Sequence, residues 1–116
     1  MSEKITAKKY FEEILPTLFI PTETKGWDRV IQYHITEEGK DGDYAIEIKN
    51  QQMKATHGIY TKPDAEVTVD KMETQHGISA GTLSLMMAIL RKRMAGKGSV
   101  LDQMKLGEIF KPYEPT

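Results

Sequence analysis

The chain has 116 residues, 28% of them charged, and a formal net charge of -1; this length suits one domain over 1–116, burying roughly two-thirds of its unfolded surface. The near-neutral balance disfavours a nucleic-acid partner, which calls for a basic excess, and the absence of cysteine removes disulfides, thiol nucleophiles and zinc thiolate sites. No apolar run approaches the ~20 residues of a membrane span and Met1-Ser2-Glu3-Lys4 opens no apolar signal core, so a cytoplasmic protein is expected.

Thr6 is placed to cap a helix that presents Tyr10, Phe11, Ile14, Leu15 and Leu18 at near-helical spacing. Pro16 lacks an amide donor and should kink or break that helix around Leu15. A polar connection, Pro21 to Gly26, precedes a strand with Trp27, Ile31, Tyr33 and Ile35 on one face and Asp28, Gln32, His34 and Thr36 mostly on the other. Glu37 to Gly42 reads as a hairpin turn. In the second strand Tyr44, Ile46 and Ile48 alternate with Ala45, Glu47 and Lys49. A tight turn at Asn50-Gln51 leads to a weaker strand with Met53, Ala55 and His57 on the inward phase, and Pro63 opens a fourth with Ala65, Val67 and Val69 inward. This period of two predicts a sheet with one wet and one buried face, the latter covered by helices.

Asp70-Lys71-Met72-Glu73 reads as a capping box, with Gly77 as the stop. Ser79 to Gly81 is a break, and Thr82 to Leu90 is apolar nearly all round. From pattern alone Arg91 to Met94 continues a helix, although Gly96 and Gly98 also suit a short strand. Ser99 caps a last helix that ends before Pro112.

The order of these segments resembles the sterol carrier protein 2 (SCP-2) family of lipid-transfer domains. Tyr10-Phe11-Glu12-Glu13-Ile14-Leu15-Pro16 looks like that family's first helix and its proline break. Lys62-Pro63-Asp64-Ala65-Glu66-Val67-Thr68-Val69, running into an acidic-capped helix, is similar to its most recognisable segment. Gly98 through Met104-Lys105-Leu106, after a short basic strand, resembles its glycine-to-Met-Lys-Leu pattern. The resemblance implies an α+β fold, a five-stranded mostly antiparallel sheet with helices packed on one face around an apolar tunnel. It also moves the stretch near Leu90 to Gly96 from helix to fifth strand.

Met86, Met87, Met94 and Met104 fill core gaps or line a cavity equally well, because thioethers adapt to either; the resemblance favours the cavity. Leu83, Leu101, Leu106, Ile109 and Phe110 join the expected lining, with Ile14 and Leu18 from the first helix and Ile46 from the second strand. In Arg91-Lys92-Arg93 the plain reading is a solvated edge. The sharper one puts Lys92 at the tunnel rim, pairing with an acidic lipid head, or the run on an anionic membrane surface. His34, His57 and His76 lack the spacing of a metal site, and Ser79 and Ser99 lack a nucleophile's strand-turn-helix setting.

The expected function is therefore a non-catalytic carrier of a fatty acid, sterol-like or other apolar ligand, with no cofactor and no metal. The competing expectation is a protein-interaction module whose apolar helical face forms a homodimer or partner surface. An enzyme using the basic stretch on a phosphorylated or acyl-CoA substrate ranks last, since no general base falls in the expected pocket.

Overall fold

The computed structural model of the chain describes residues 5–80, 91–98 and 100–111. Five strands form one sheet: β1 (Arg29–Ile35), β2 (Asp43–Lys49), β3 (Gln52–His57), β4 (Ala65–Val69) and β5 (Met94–Gly98). Their order across the sheet is β3-β2-β1-β4-β5. The β1–β4 pair is parallel and the other three are antiparallel. The fold is α+β with a mixed, mostly antiparallel sheet.

Alternation sets the buried face. Ile31, Tyr33 and Ile35 of β1, Tyr44, Ile46 and Ile48 of β2, and Ala65, Val67 and Val69 of β4 are all buried. In register, Tyr44, Tyr33, Val67 and Gly96 form one row across four strands. At the β2–β3 turn Asn50 and Gln51 have φ of 51° and 60°, the paired positive values of a tight two-residue hairpin. The expected hairpin joins β1 to β2, and its connection is a pair of 3-10 turns over Thr36–Gly42, broken at Gly39.

The helical cover begins with α1 (Ala7–Lys9), a π-helical stretch Tyr10–Ile14, and α2 (Leu15–Leu18). Thr6 Oγ1 accepts from Lys9 N at 3.2 Å, a side-chain cap. The expected disturbance by Pro16 is the π turn, in which Leu15 N–H bonds the Tyr10 carbonyl five residues back. The wider turn lets the chain absorb a proline with no N–H to give, and helix resumes with Pro16 in its first turn. Tyr10, Phe11, Leu15 and Leu18 then enter the core.

Helix α3 (Met72–Ser79) passes through Gly77 rather than stopping there. Asp70 governs its start without a reciprocal capping box: its carboxylate accepts from Lys71 N at 2.7 Å and from Thr74 Oγ1 at 2.5 Å. Burial alone would raise the Asp70 pKa, but these donors together with Arg93 outweigh it and hold it below the ordinary value. The last described helix is α4 (Val100–Ile109). The expected helix over Thr82 to Leu90, the Ser99 cap and Pro112 lie outside the described residues.

The sheet's outer face departs from the sequence reading at Gln32, expected to be wet and in fact 0% exposed. The connection after β3 folds over it: Gln32 Nε2 donates to Gly58 O at 2.9 Å, and Tyr60 N donates to Gln32 Oε1 at 2.8 Å. Beside it His34 lies between two carboxylates, Asp43 at 2.8 Å from Nδ1 and Glu66 at 3.2 Å from Nε2. Partial burial would lower its pKa, but the two carboxylates win and raise it above the ordinary value.

A protonated His34 therefore ties β1 to both neighbours. Its stabilisation is complete below the unfolded value near 6.5 and is lost as pH rises through the raised native value. Denaturant midpoints should fall as pH rises from the unfolded value near 6.5 through the raised native value. A His34→Gln variant should lack that fall, whereas an equal fall in both proteins would assign it elsewhere.

Candidate functional site

A cavity of about 380 Å³ lies between the sheet and the helices. Glycine at 96 and a valine at 67 make the facing row of the sheet low, so α4 crosses without filling the space beneath it. Gln103 packs onto Gly96 so closely that a Cβ there would run into its amide. The sheet supplies Tyr33, Val67, Met94, Ala95 and Gly96 to the lining, and the N-terminal helical segment supplies Tyr10 and Leu15. Gln75, Ile78 and Ser79 come from α3, and Gln103, Met104, Leu106 and Gly107 from α4, with Phe110 and Lys111 just beyond it.

Two anchors hold α4. At its first turn the buried Asp102 carboxylate accepts from Trp27 Nε1 at 3.1 Å and from Arg29 Nε at 3.2 Å. Arg29 also lies over the indole, 5.9 Å from its centroid. At the far end Ile20 N donates to Ile109 O at 2.8 Å and Lys111 N to Leu18 O at 2.7 Å, with Phe19 and Phe110 bridged between. Any opening by this helix must break one of these ends.

The lining is apolar over most of its surface, and Lys111 is its one charged member among the described residues. Its polar part centres on Tyr10, Tyr33, Gln75 and Ser79. Gln75 Nε2 donates to the Tyr10 hydroxyl at 3.3 Å, and Gln75 Oε1 is buried without a partner. An orphaned acceptor of this kind costs about 1–3 kcal/mol. Burial raises the pKa of Tyr10 and Tyr33, so both remain neutral phenols.

A second recess of about 550 Å³ is lined by Thr6, Lys8, Glu12, Glu38, Asp41, Tyr44 and His57. Several of its polar side chains already have partners: Tyr44 Oη donates to Glu12 at 2.5 Å, and Glu38 accepts from Ala7 N at 2.8 Å. Although larger, it is more polar and more open, so the first cavity is the better ligand site. Among the described residues no group of three or more histidine, cysteine or acidic side chains is placed to hold a metal. Nor is any described helix long and apolar enough to cross a membrane.

Of the residues singled out in the sequence, the cavity brings together Met94, Met104, Leu106 and Phe110. Ile14, Leu18 and Ile46 pack in or against the core instead, and Leu101 is 78% exposed. Leu83, Met86 and Met87 lie outside the described residues. Lys92, expected to point inward, is exposed. The fifth strand starts at Met94 rather than near Leu90, leaving Lys92 in the preceding turn with φ 57°. His57, which shares phase with Met53, is exposed and bonded to Lys40 O at 2.9 Å. Sequence reading missed Gln75 and Ser79, although Met72, Gln75 and Ser79 recur at helical spacing once α3 is carried past Gly77.

A profile of the SCP-2 sterol transfer family matches residues 12–111. The chain belongs to this family. Its architecture is that of the SCP-2 lipid-binding and transfer domain. A palmitated SCP2L2 from Aedes aegypti superposes with a TM-score of 0.59 at 21% identity, over 95% of this chain and 100% of that one. The A. aegypti AeSCP-2 complex with palmitate gives 0.57 at 16% identity, over 91% and 94%. The inverting sec-alkylsulfatase Pisa1 from Pseudomonas sp. gives 0.79 at 22% identity, over 97% of this chain but only 17% of that enzyme. Comparison with curated protein sequences found no match.

Proposed function

We propose that this chain is a non-catalytic, cytoplasmic carrier that holds one apolar, lipid-like molecule in the cavity beneath α4. The apolar cavity carries this reading: its 380 Å³ falls within the roughly 300–1,000 Å³ of ligand pockets. Its described lining has no carboxylate, imidazole or thiol to act as base or nucleophile. Burying an acyl chain there gains about 0.8 kcal/mol per methylene, enough for useful affinity without a polar code. The palmitate-bound relatives support a fatty-acid-sized guest.

Native mass spectrometry of the freshly purified protein, followed by organic extraction, tests this directly. A retained mass of several hundred daltons that extracts as lipid is expected. The variant Leu106→Trp, which fills the cavity from α4, should lose it while keeping its unfolding transition. A clean apo mass together with no uptake of fluorescent fatty acids, fatty alcohols or fatty-acid esters would rule the carrier out.

The likeness to a small portion of a much larger sulfatase supports a second reading, a module that docks on an enzyme or on its own copy. A closed core and a concentration-dependent dimer in sedimentation would favour it.

A further inference from the structure

The buried part of the lining becomes polar in one place; the half-buried Gln103 and the exposed Lys111 also line the cavity. In that buried polar place the Gln75 carboxamide donates one of its two N–H groups to the Tyr10 hydroxyl, while its carbonyl oxygen is buried with nothing donating to it. Ser79 and Tyr33 add hydroxyls to the same lining, and a hydroxyl can turn to give or accept. An occupant satisfies this set only if it brings a donor for Gln75 Oε1 and tolerates hydroxyl neighbours. An ionised carboxylate has no proton for Gln75 Oε1 and would meet it as a second acceptor, and the lining's one cation among the described residues, Lys111, is solvent-exposed. An alkane leaves the carbonyl orphaned. An alcohol can donate to Gln75 and accept from a neighbouring hydroxyl.

Resting on the carrier reading, we propose that Gln75 reads the head group of the bound molecule and selects apolar ligands with a neutral hydrogen-bond donor, long-chain alcohols above all, over ionised fatty acids. The methionines and leucines of the cavity then measure the tail, and α3 reads the head. Lys92 has no part in this selection because it stands outside the lining.

Calorimetric titration of the full chain with 1-dodecanol, dodecanoate and methyl dodecanoate at mildly alkaline pH tests the assignment. The alcohol should bind at least tenfold more tightly than the carboxylate, the scale of one buried hydrogen bond. In Gln75→Leu the ratio of alcohol to carboxylate affinity should fall to about one, with methyl dodecanoate, which has no donor, reporting that the cavity still takes up a tail. Dodecanoate binding as tightly as the alcohol to the unaltered chain overturns the proposal without reference to any variant. A folded Gln75→Leu that keeps the preference overturns it as well. In both cases the methyl ester still binds and the carrier reading stands; no binding of any of the three overturns both.

Discussion

Phe11→Ala is expected to cost about 3–5 kcal/mol, the range for truncating a buried aromatic. Phe11 is 0% exposed and sits at the centre of an aromatic group. Its ring is 5.0 Å from Tyr10, edge to face, and 5.1 Å from both Tyr33 and Tyr44. It joins the π turn of the first helical segment to β1 and β2, so its loss leaves a void that three rigid rings cannot collapse into. Against a typical domain stability of about 5–15 kcal/mol, that is a large share. Chemical denaturation should show the midpoint falling steeply. Two of the three ring neighbours also line the cavity, so ligand uptake should weaken along with stability. A change below about 1 kcal/mol would mean the aromatic group is not the keystone of this face.

Asp102→Ala should be the second largest, at about 2 kcal/mol, and should act locally. The carboxylate is buried and accepts from both Trp27 and Arg29. Removing it leaves two donors without that acceptor and frees the first turn of α4. Arg29 is 39% exposed in its side chain, so water recovers part of its loss and the full cost of breaking a buried pair is not reached. Trp27, the chain's single tryptophan, reports on the event: its emission should shift to the red as the indole N–H meets water. Hydrogen exchange should accelerate in the N-terminal half of α4 and stay slow near Ile109, where the backbone bonds to Ile20 and Leu18 remain. If this helix gates the cavity, ligand release should quicken too. Uniform exchange along α4 would show that the Asp102 anchor does not hold the helix separately.

The strands and their inward faces were legible because the period of two appears directly in the residue order. Ile31, Tyr33 and Ile35, Tyr44, Ile46 and Ile48, and Val67 and Val69 could be assigned to one face before any partner was known. The proline break, the Asn50-Gln51 turn and the Thr6 cap were equally local, each resting on a few adjacent residues. The order of segments also carried the family, and with it the α+β architecture.

What the sequence left undecided depended on neighbours distant in the chain. Gln32 looks like a wet-face residue until residues 58–60 fold back over it. Lys92 takes an inward phase only if the fifth strand begins early, and its start is set by pairing of Met94 with Val69. Leu101 and Met104 look alike as apolar helix positions, yet only Met104 reaches the cavity. That difference depends on how α4 is turned by Asp102 at one end and Phe110 at the other. Alternation and capping are short-range physics written residue by residue. A cavity is the space left when elements far apart in sequence pack imperfectly, and only the tertiary structure determines where that falls.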